Sequence, residues 1–425
     1  MSEKPVRVLS VCTSDSSGGA ARAAYRIHRA VQDLGVDSRM FVKQKGTDDP
    51  TVLTVDDFIP HHALYRGYDW VRNKVKNKWE HYVWGKYPER EKYFMSDLRS
   101  TDIGGALRKI DYDVLHLHWI NLRFLPLEQL PKDKPIVWTL HDSWPFCGIC
   151  HLPFDCEGCR SQCGNCPALH SQDPKDLSHR VWSAKKKIYD RLDLHIVAPS
   201  RWMADNARSS SLLGGRDIRV IPNGIDTALY SPGDRMEACR KLHLDHGKKH
   251  ILFGAMNVKD DPNKGFDYLK EAIGRLASKL DFPAELIVFG SNIPVSDDIA
   301  GVPVINLGLL KDNEMIIAAY RASDVMVVPS LSENLSCTIM ESLACGTPVA
   351  AFNIGGNGDM VEHLVNGYLA EEKDCEDLST GILWCMENNS AGQLSQSARQ
   401  TILDRFTPER VADSYIRLYS KALQY

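Results

Sequence analysis

The sequence has no apolar stretch approaching the roughly 18 residues that span a membrane, so no transmembrane helix is expected. The N-terminus, MSEKPVRVLSVC, lacks a charged leader followed by a long apolar run. No secretory signal is therefore expected, and the chain is placed in the cytoplasm. An excess of charge of one sign is lacking too. A net charge of −4 over 425 residues gives no basic footprint, so no nucleic-acid partner is expected. Repeats of roughly 20 to 50 residues and low-complexity tracts are missing, which excludes solenoids and disordered arrays. No Asp-x-Asp follows a strand in the second half, so no catalytic divalent metal is expected.

What remains is the composition of a soluble globular protein, 43% hydrophobic and 25% charged, long enough for two or three domains. Short apolar runs alternate with helical patterns. VRVLSVC (6–12), DVLHLH (113–118), PIVWTL (135–140) and LHIVAP (194–199) read as strands. After VIPNGID (220–226) the series restarts with HILFGA (250–255), AELIVFG (284–290), PVINLG (303–308), DVMVVPS (324–330) and TPVAAF (347–352). Strands alternating with helices make parallel sheets covered on both faces. Two series separated by Pro-Asn-Gly predict an α/β protein of two doubly wound, Rossmann-like domains facing across a cleft. The boundary is expected near 222–230, with domains at 1–225 and 226–404.

SENLSCTIMESLACGTPVAAF (332–352) carries two acids eight positions apart, Glu333 in a loop beyond a strand end and Glu341 in the following helix. A helix beginning near Ser336 turns unpaired N–H groups and a positive dipole end toward a ligand, which suits a diphosphate. Glu341 suits the paired hydroxyls of a ribose. Glu333 suits sugar hydroxyls or a carbon that develops positive charge. Acids near a helix start are also common on solvated surfaces.

The stretch resembles the Glu-x7-Glu signature of family 4 of the retaining glycosyltransferases, which have the GT-B fold. SSGGAARAA (16–24), WTLHD (138–142), APS (198–200), NKGFDYL (263–269) and GGNGDMVEHLVNGYLA (355–370) follow the family's order, and FTPERVADSYIRLY (406–419) is similar to its last helix. The resemblance implies that this helix, within 405–425, returns to the N-terminal domain. It implies transfer of a hexose from a UDP-, GDP- or dTDP-linked sugar. Glu341 would bind ribose, and Glu333 and His141 the donor sugar. Backbone N–H groups near Ser336, Cys337 and Thr338 would meet the distal phosphate, and Lys264 would neutralise the leaving diphosphate. Gly18 and Gly19 would let the backbone approach donor or acceptor. The family's arginine, usually just after the glycine ending the preceding strand, is missing: Ala255 follows Gly254, and Lys259 does not reproduce a guanidinium. GGAARAA, HLHW and a cysteine-rich insert resemble a bacterial subgroup of capsule, exopolysaccharide and O-antigen assembly, whose acceptor is a glycan on a lipid carrier. A nucleotide-sugar epimerase or hydrolase of the same fold, or a silent sugar-binding scaffold, are the alternatives.

The insert CGICHLPFDCEGCRSQCGNC (147–166) holds three Cys-x2-Cys pairs. Two such pairs complete a tetrahedral zinc site. Disulfide or redox use, an Fe–S cluster and unliganded thiols are the other readings. Relatives are expected to carry fewer cysteines here, which makes Cys150, Cys159, Cys163 and Cys166 the expected ligands of a structural zinc, with Cys147 and Cys156 as alternates. His116 and His118, on one face of a strand, read as buried and hydrogen-bonded. Residues 65–94 contain nine aromatics and eight Lys/Arg against four acids, a mixture that suits an anionic membrane surface.

Overall fold

The computed structural model describes residues 5–58, 74, 77–78, 80–91, 103–254, 261–291 and 295–424. The chain divides into two compact units, Met1–Pro222 with Val411–Tyr425, and Asn223–Arg410.

In the first unit seven parallel strands are β1 (Arg7–Ser14), β2 (Asp37–Gln44), β3 (Val52–Thr54), β4 (Val114–Leu117), β5 (Ile136–Thr139), β6 (Leu194–Ala198) and β7 (Ile218–Val220). Their order is β3-β2-β1-β4-β5-β6-β7, which reverses direction at β1. The sheet is buried on both faces, as an all-parallel sheet must be. Leu9, Val11, Leu115, Leu117, Ile136 and Trp138 pack into one core. Val8, Val114, Val137 and Val197 pack on the other side with Ile27 and Val31 of α1 (Gly19–Asp33). Two further helices of this unit are α2 (Leu177–Tyr189) and α3 (Arg201–Ser209).

In the second unit the strands are β8 (Lys249–Gly254), β9 (Ala284–Phe289), β10 (Asp298–Ile299), β11 (Val302–Gly308), β12 (Val325–Val328), β13 (Val349–Phe352) and β14 (Gly367–Ala370). The order β10-β11-β9-β8-β12-β13-β14 reverses at β8, and only the two-residue edge strand β10 runs antiparallel. Helices α4 (Phe266–Ala277), α5 (Asn313–Ala322), α6 (Cys337–Ala344) and α7 (Cys375–Glu387) cover its faces.

The last helix, α8 (Pro408–Ala422), leaves the second unit and packs on the first. Val411, Ala412, Tyr415, Leu418 and Tyr419 recur every three or four residues and join the core that holds Val8, Val114 and Val137.

Candidate functional site

In a doubly wound sheet, ligands bind beyond the carboxyl ends of the strands where the order reverses. In the second unit those strands are β8 and β12. The loop after β12 runs from Pro329 to Ser336, the N-cap residue of α6. After β8, residues 255–260, including Lys259, lie outside the described residues. The chain re-enters as a single turn, Pro262–Lys264, ending at Gly265.

These two segments hold each other. Leu331 N donates to Asn263 O at 2.9 Å, and Asn263 Nδ2 donates to Ser332 O at 3.0 Å. Lys264 Nζ stands 2.7 Å from Glu333 Oε1, with side chains 31% and 14% exposed. Glu333's charge raises the lysine's pKa and keeps it cationic. On the loop's other side Gly356 N donates to Glu333 O at 3.1 Å. Glycine is required on both flanks. Gly265 has φ +68° and Gly355 φ +55°, and a Cβ at either would stand 1.8 Å from a carbonyl oxygen, Pro329 O and Glu333 O respectively. The Lys-Gly and Gly-Gly motifs thus grip one acid-bearing loop from two sides.

Glu341, in the second turn of α6, is 2% exposed, and its Oε2 accepts from Tyr320 Oη at 3.1 Å. Tyr320 is fully buried on α5; burial, then the nearby carboxylate, pushes its phenol well up, so it stays a donor. At the start of α6 the hydroxyls of Ser336 and Thr338 lie 3.0 Å apart, and Cys337 and Thr338 are half-buried.

In the first unit Gly18 caps α1 just beyond β1, where the strand order reverses. A Cβ there would meet nothing within 4 Å among the described residues. Asp15 fixes the adjacent loop by accepting from Gly46 N, Thr47 N and Thr47 Oγ1 at 2.7, 3.0 and 2.7 Å. Burial would raise its pKa, but these bonds outweigh burial and lower it. His141 Nε2 lies 3.0 Å from His118 Nδ1. Behind them His116 is bonded through Nε2 to Thr139 Oγ1 (2.8 Å) and through Nδ1 to Tyr419 Oη (2.7 Å), while Tyr415 Oη meets Thr139 Oγ1 at 2.9 Å. Two hydroxyls of α8 thereby finish a polar column that ends at His141. Burial depresses His116 to about 3 and His141 to about 4. Asp142, next in sequence, accepts from Trp119 Nε1 (2.6 Å) and Trp144 N (3.0 Å) and pairs with His151 Nδ1.

Comparison with known proteins decides the family. The model described as "Glycosyltransferase Family 4" matches residues 17–229, and that described as "Glycosyl transferases group 1" matches 247–388. The chain belongs to glycosyltransferase family 4. It is 26% identical over 323 residues to the putative colanic acid biosynthesis glycosyl transferase WcaC of Escherichia coli K12, covering 73% of this chain and 75% of that one. It is 30% identical over 338 residues to a D-inositol 3-phosphate glycosyltransferase of Geodermatophilus obscurus, covering 74% and 67%. Among solved structures, Anabaena Alr3699/HepE in complex with UDP-glucose superposes with TM-score 0.61 at 18% identity, over 98% of this chain and 99% of that one. The two Rossmann-like sheets are those of GT-B glycosyltransferases.

The cysteine insert of this family 4 glycosyltransferase departs from the zinc expectation. No three His, Cys, Asp or Glu side chains among the described residues form a group able to hold a metal ion, so the set Cys150, Cys159, Cys163 and Cys166 is not assembled as one. The physical reason is the backbone. Phe154, Cys163, Gly164 and Asn165 all take positive φ, so the segments joining the Cys-x2-Cys pairs run as tight turns. All six cysteines of the insert line one small cavity with Gly148, Gly158 and Gly164. His151 bonds Asp142 and lies 3.3 Å from Asn121 Nδ2.

The basic–aromatic segment 65–94 lies partly outside the described residues. Within the described part, Val83, Trp84 and Tyr87 pack against Ile149, Cys166 and Leu177, so these aromatics support the insert; Tyr82 is exposed. No described helix is long and apolar enough to cross a membrane.

Proposed function

We propose that this glycosyltransferase is a retaining hexosyltransferase that moves a hexose from a nucleotide-sugar to a growing glycan on a lipid carrier. The observation that carries the reading is the Lys264–Glu333 pair on a loop clamped by backbone beyond β8 and β12. A cation and an acid so held meet the two charges of glycosyl transfer, the departing diphosphate and the positive anomeric carbon. In this reading Glu333 and His141 grip the sugar, Lys264 and the N–H groups of Ser336, Cys337 and Thr338 receive the phosphates, and Glu341 holds the ribose. Gly18 and Gly19 leave room for the reacting groups. With no protein nucleophile required, the leaving diphosphate helps deprotonate the acceptor, which attacks from the same face. The protein contributes positioning and preorganised charge. The colanic acid relative supports a polysaccharide acceptor, and the composition of 65–94 supports one held at a membrane.

A thermal-shift screen of UDP-, GDP- and dTDP-sugars tests the donor site. A donor at 100 times its Kd should stabilise the protein by about 2.7 kcal/mol. UDP-sugars are the first candidates, because Alr3699/HepE binds UDP-glucose. No shift with any donor would reject the reading. Product analysis with and without acceptor separates transfer from epimerisation or hydrolysis.

Tyr320→Phe removes the hydroxyl that bonds Glu341. If Glu341 grips the ribose in ground and transition states alike, donor KM should rise about tenfold with kcat nearly unchanged, as expected for a lost bond to a charged group. Steady-state kinetics checks this; an unchanged KM would assign Tyr320 to packing alone.

A further inference from the structure

We propose that Asn121 binds the acceptor, its side-chain oxygen taking a hydroxyl of the sugar that receives the hexose, and that His151 of the cysteine insert sets the direction of that oxygen. The inference rests on the hexosyltransferase reading above and deepens it on the acceptor side. The order of the first sheet reverses between β1 and β4, so a ligand of that unit belongs beyond their carboxyl ends. The proposed phosphate and ribose contacts are all on the second unit, which leaves this place to the acceptor. The loop leaving β4 is tied to the end of β1. Thr13 N donates to Trp119 O at 2.7 Å, and Thr13 Oγ1 lies 3.0 Å from both Trp119 O and Asn121 O. The loop then turns through Leu122 and Arg123, both left-handed at φ +56° and +57°. Residues other than glycine keep that conformation only where their surroundings enforce it. Here Lys43 Nζ holds Leu122 O at 2.5 Å, and Arg123 bonds Asn77 Oδ1 at 2.8 Å and pairs with Glu80.

Asn121 is 1% exposed, and its Oδ1 is buried with no hydrogen-bond partner among the described residues. A relay sets its orientation. Asp142 Oδ2, which accepts from Trp119 Nε1 at 2.6 Å, accepts from His151 Nδ1 as well. The imidazole proton is thereby on Nδ1, and Nε2 is left as an acceptor. Asn121 Nδ2 donates to that nitrogen at 3.3 Å. The amide thus turns its nitrogen to His151 and its oxygen away. A buried amide oxygen without a donor is costly, and a ligand that supplies the donor is recognised by it. The ligand class follows from the atom. An amide oxygen accepts and never donates, so it takes a hydroxyl and not an unprotonated phosphate or carboxylate oxygen. Leu122, next in the chain and 46% exposed, offers an apolar rest for the C–H face of a sugar ring. His151 is the positioning residue, and bringing it to the loop after β4 is a task for the insert.

The experiment measures transfer by the full-length protein, with the donor that the thermal-shift screen selects, to octyl glucoside, octyl galactoside and octyl mannoside and to the monodeoxy analogues of each. Apart from the analogue that lacks the attacking hydroxyl, wild type should disfavour one deoxy analogue by about 10- to 100-fold in kcat/KM, the loss when a buried acceptor atom is left unpaired. Asn121→Ala should cut that one preference to about threefold or less, with the other preferences and donor binding unchanged. His151→Ala should weaken the same preference and no other, because the amide can then turn. Asn121→Leu, closer to the amide in volume, carries the same expectation if the alanine variant does not fold. The proposal is overturned if the variants weaken all acceptors alike, as a merely structural asparagine would. It is equally overturned if wild type binds a donor but takes none of these neutral sugars. Absence of any donor binding would instead reject the donor-site reading on which the inference rests.

Discussion

Replacing Lys264 by alanine should lower kcat by about 100- to 1,000-fold, the usual loss when one preorganised group facing transition-state charge is removed. The lysine has two duties that must be separated. In the free protein it neutralises Glu333, 2.7 Å away and only 14% exposed. In the proposed reaction it meets the charge appearing on the leaving diphosphate. Removing it alone also strands a partly buried carboxylate, at a cost of about 1–3 kcal/mol of stability. The double variant Lys264→Met with Glu333→Gln removes both charges, so it should recover most of that stability while remaining inactive. Glu333→Gln alone should lower kcat more than it changes KM, because its contribution grows as positive charge develops on the sugar. Melting curves with steady-state kinetics on the three proteins are the measurement. If Lys264→Ala kept kcat within a factor of three of wild type, the pair would be structural and the proposed roles wrong.

The second large expected effect is loss of stability on mild acidification. His28 is buried between Ser38 Oγ and Thr51 Oγ1, at 2.8 and 2.9 Å, and burial depresses it to about 4 despite the nearby charge of Asp49. Burial depresses His116 to about 3 and His118 well below its ordinary value. All three are neutral in the fold. As pH falls below about 6.5 the unfolded chain takes up protons that the folded chain refuses, so stability is complete above that pH and drains away toward the folded values. Each histidine should cost about 2 kcal/mol by pH 5, and three together approach the whole stability of a domain. The melting temperature measured from pH 7.5 to 5 checks this. His28→Gln, away from the proposed site, should flatten the slope without changing kinetics at pH 7.5. A melting temperature independent of pH over this range would show that these histidines take up protons in place.

The fold class is legible because parallel strands buried on both faces are short apolar runs, and β1, β4, β5, β6 and five strands of the second unit have that character. The strands that sequence reading passes over lack it. β2, DSRMFVKQ, is interrupted by charge, β3 and β7 have three residues each, and β14 opens on glycine. Lys264 and Glu333 are each readable as motif residues, but their contact is not. They lie 69 positions apart and meet only because β8 and β12 are neighbours in the sheet. Tyr320 reads as core, and only a buried phenol's need for a partner hints at Glu341. The cysteine cluster is legible as three Cys-x2-Cys pairs, but the turns that join them, with Phe154, Cys163, Gly164 and Asn165 at positive φ, are not.

The placement of α8 bears on how the protein is made. The face of the first sheet that α8 covers, with Val8, Val114, Val137 and His116, is synthesised early, but its cover leaves the ribosome only after the entire second unit. At ordinary elongation rates that interval is about 10–40 s. Through it the nascent chain presents an apolar strip, and the hydroxyls that complete the histidine column have not yet been translated. Biosynthesis of this enzyme should therefore depend on chaperones that shield nascent chains.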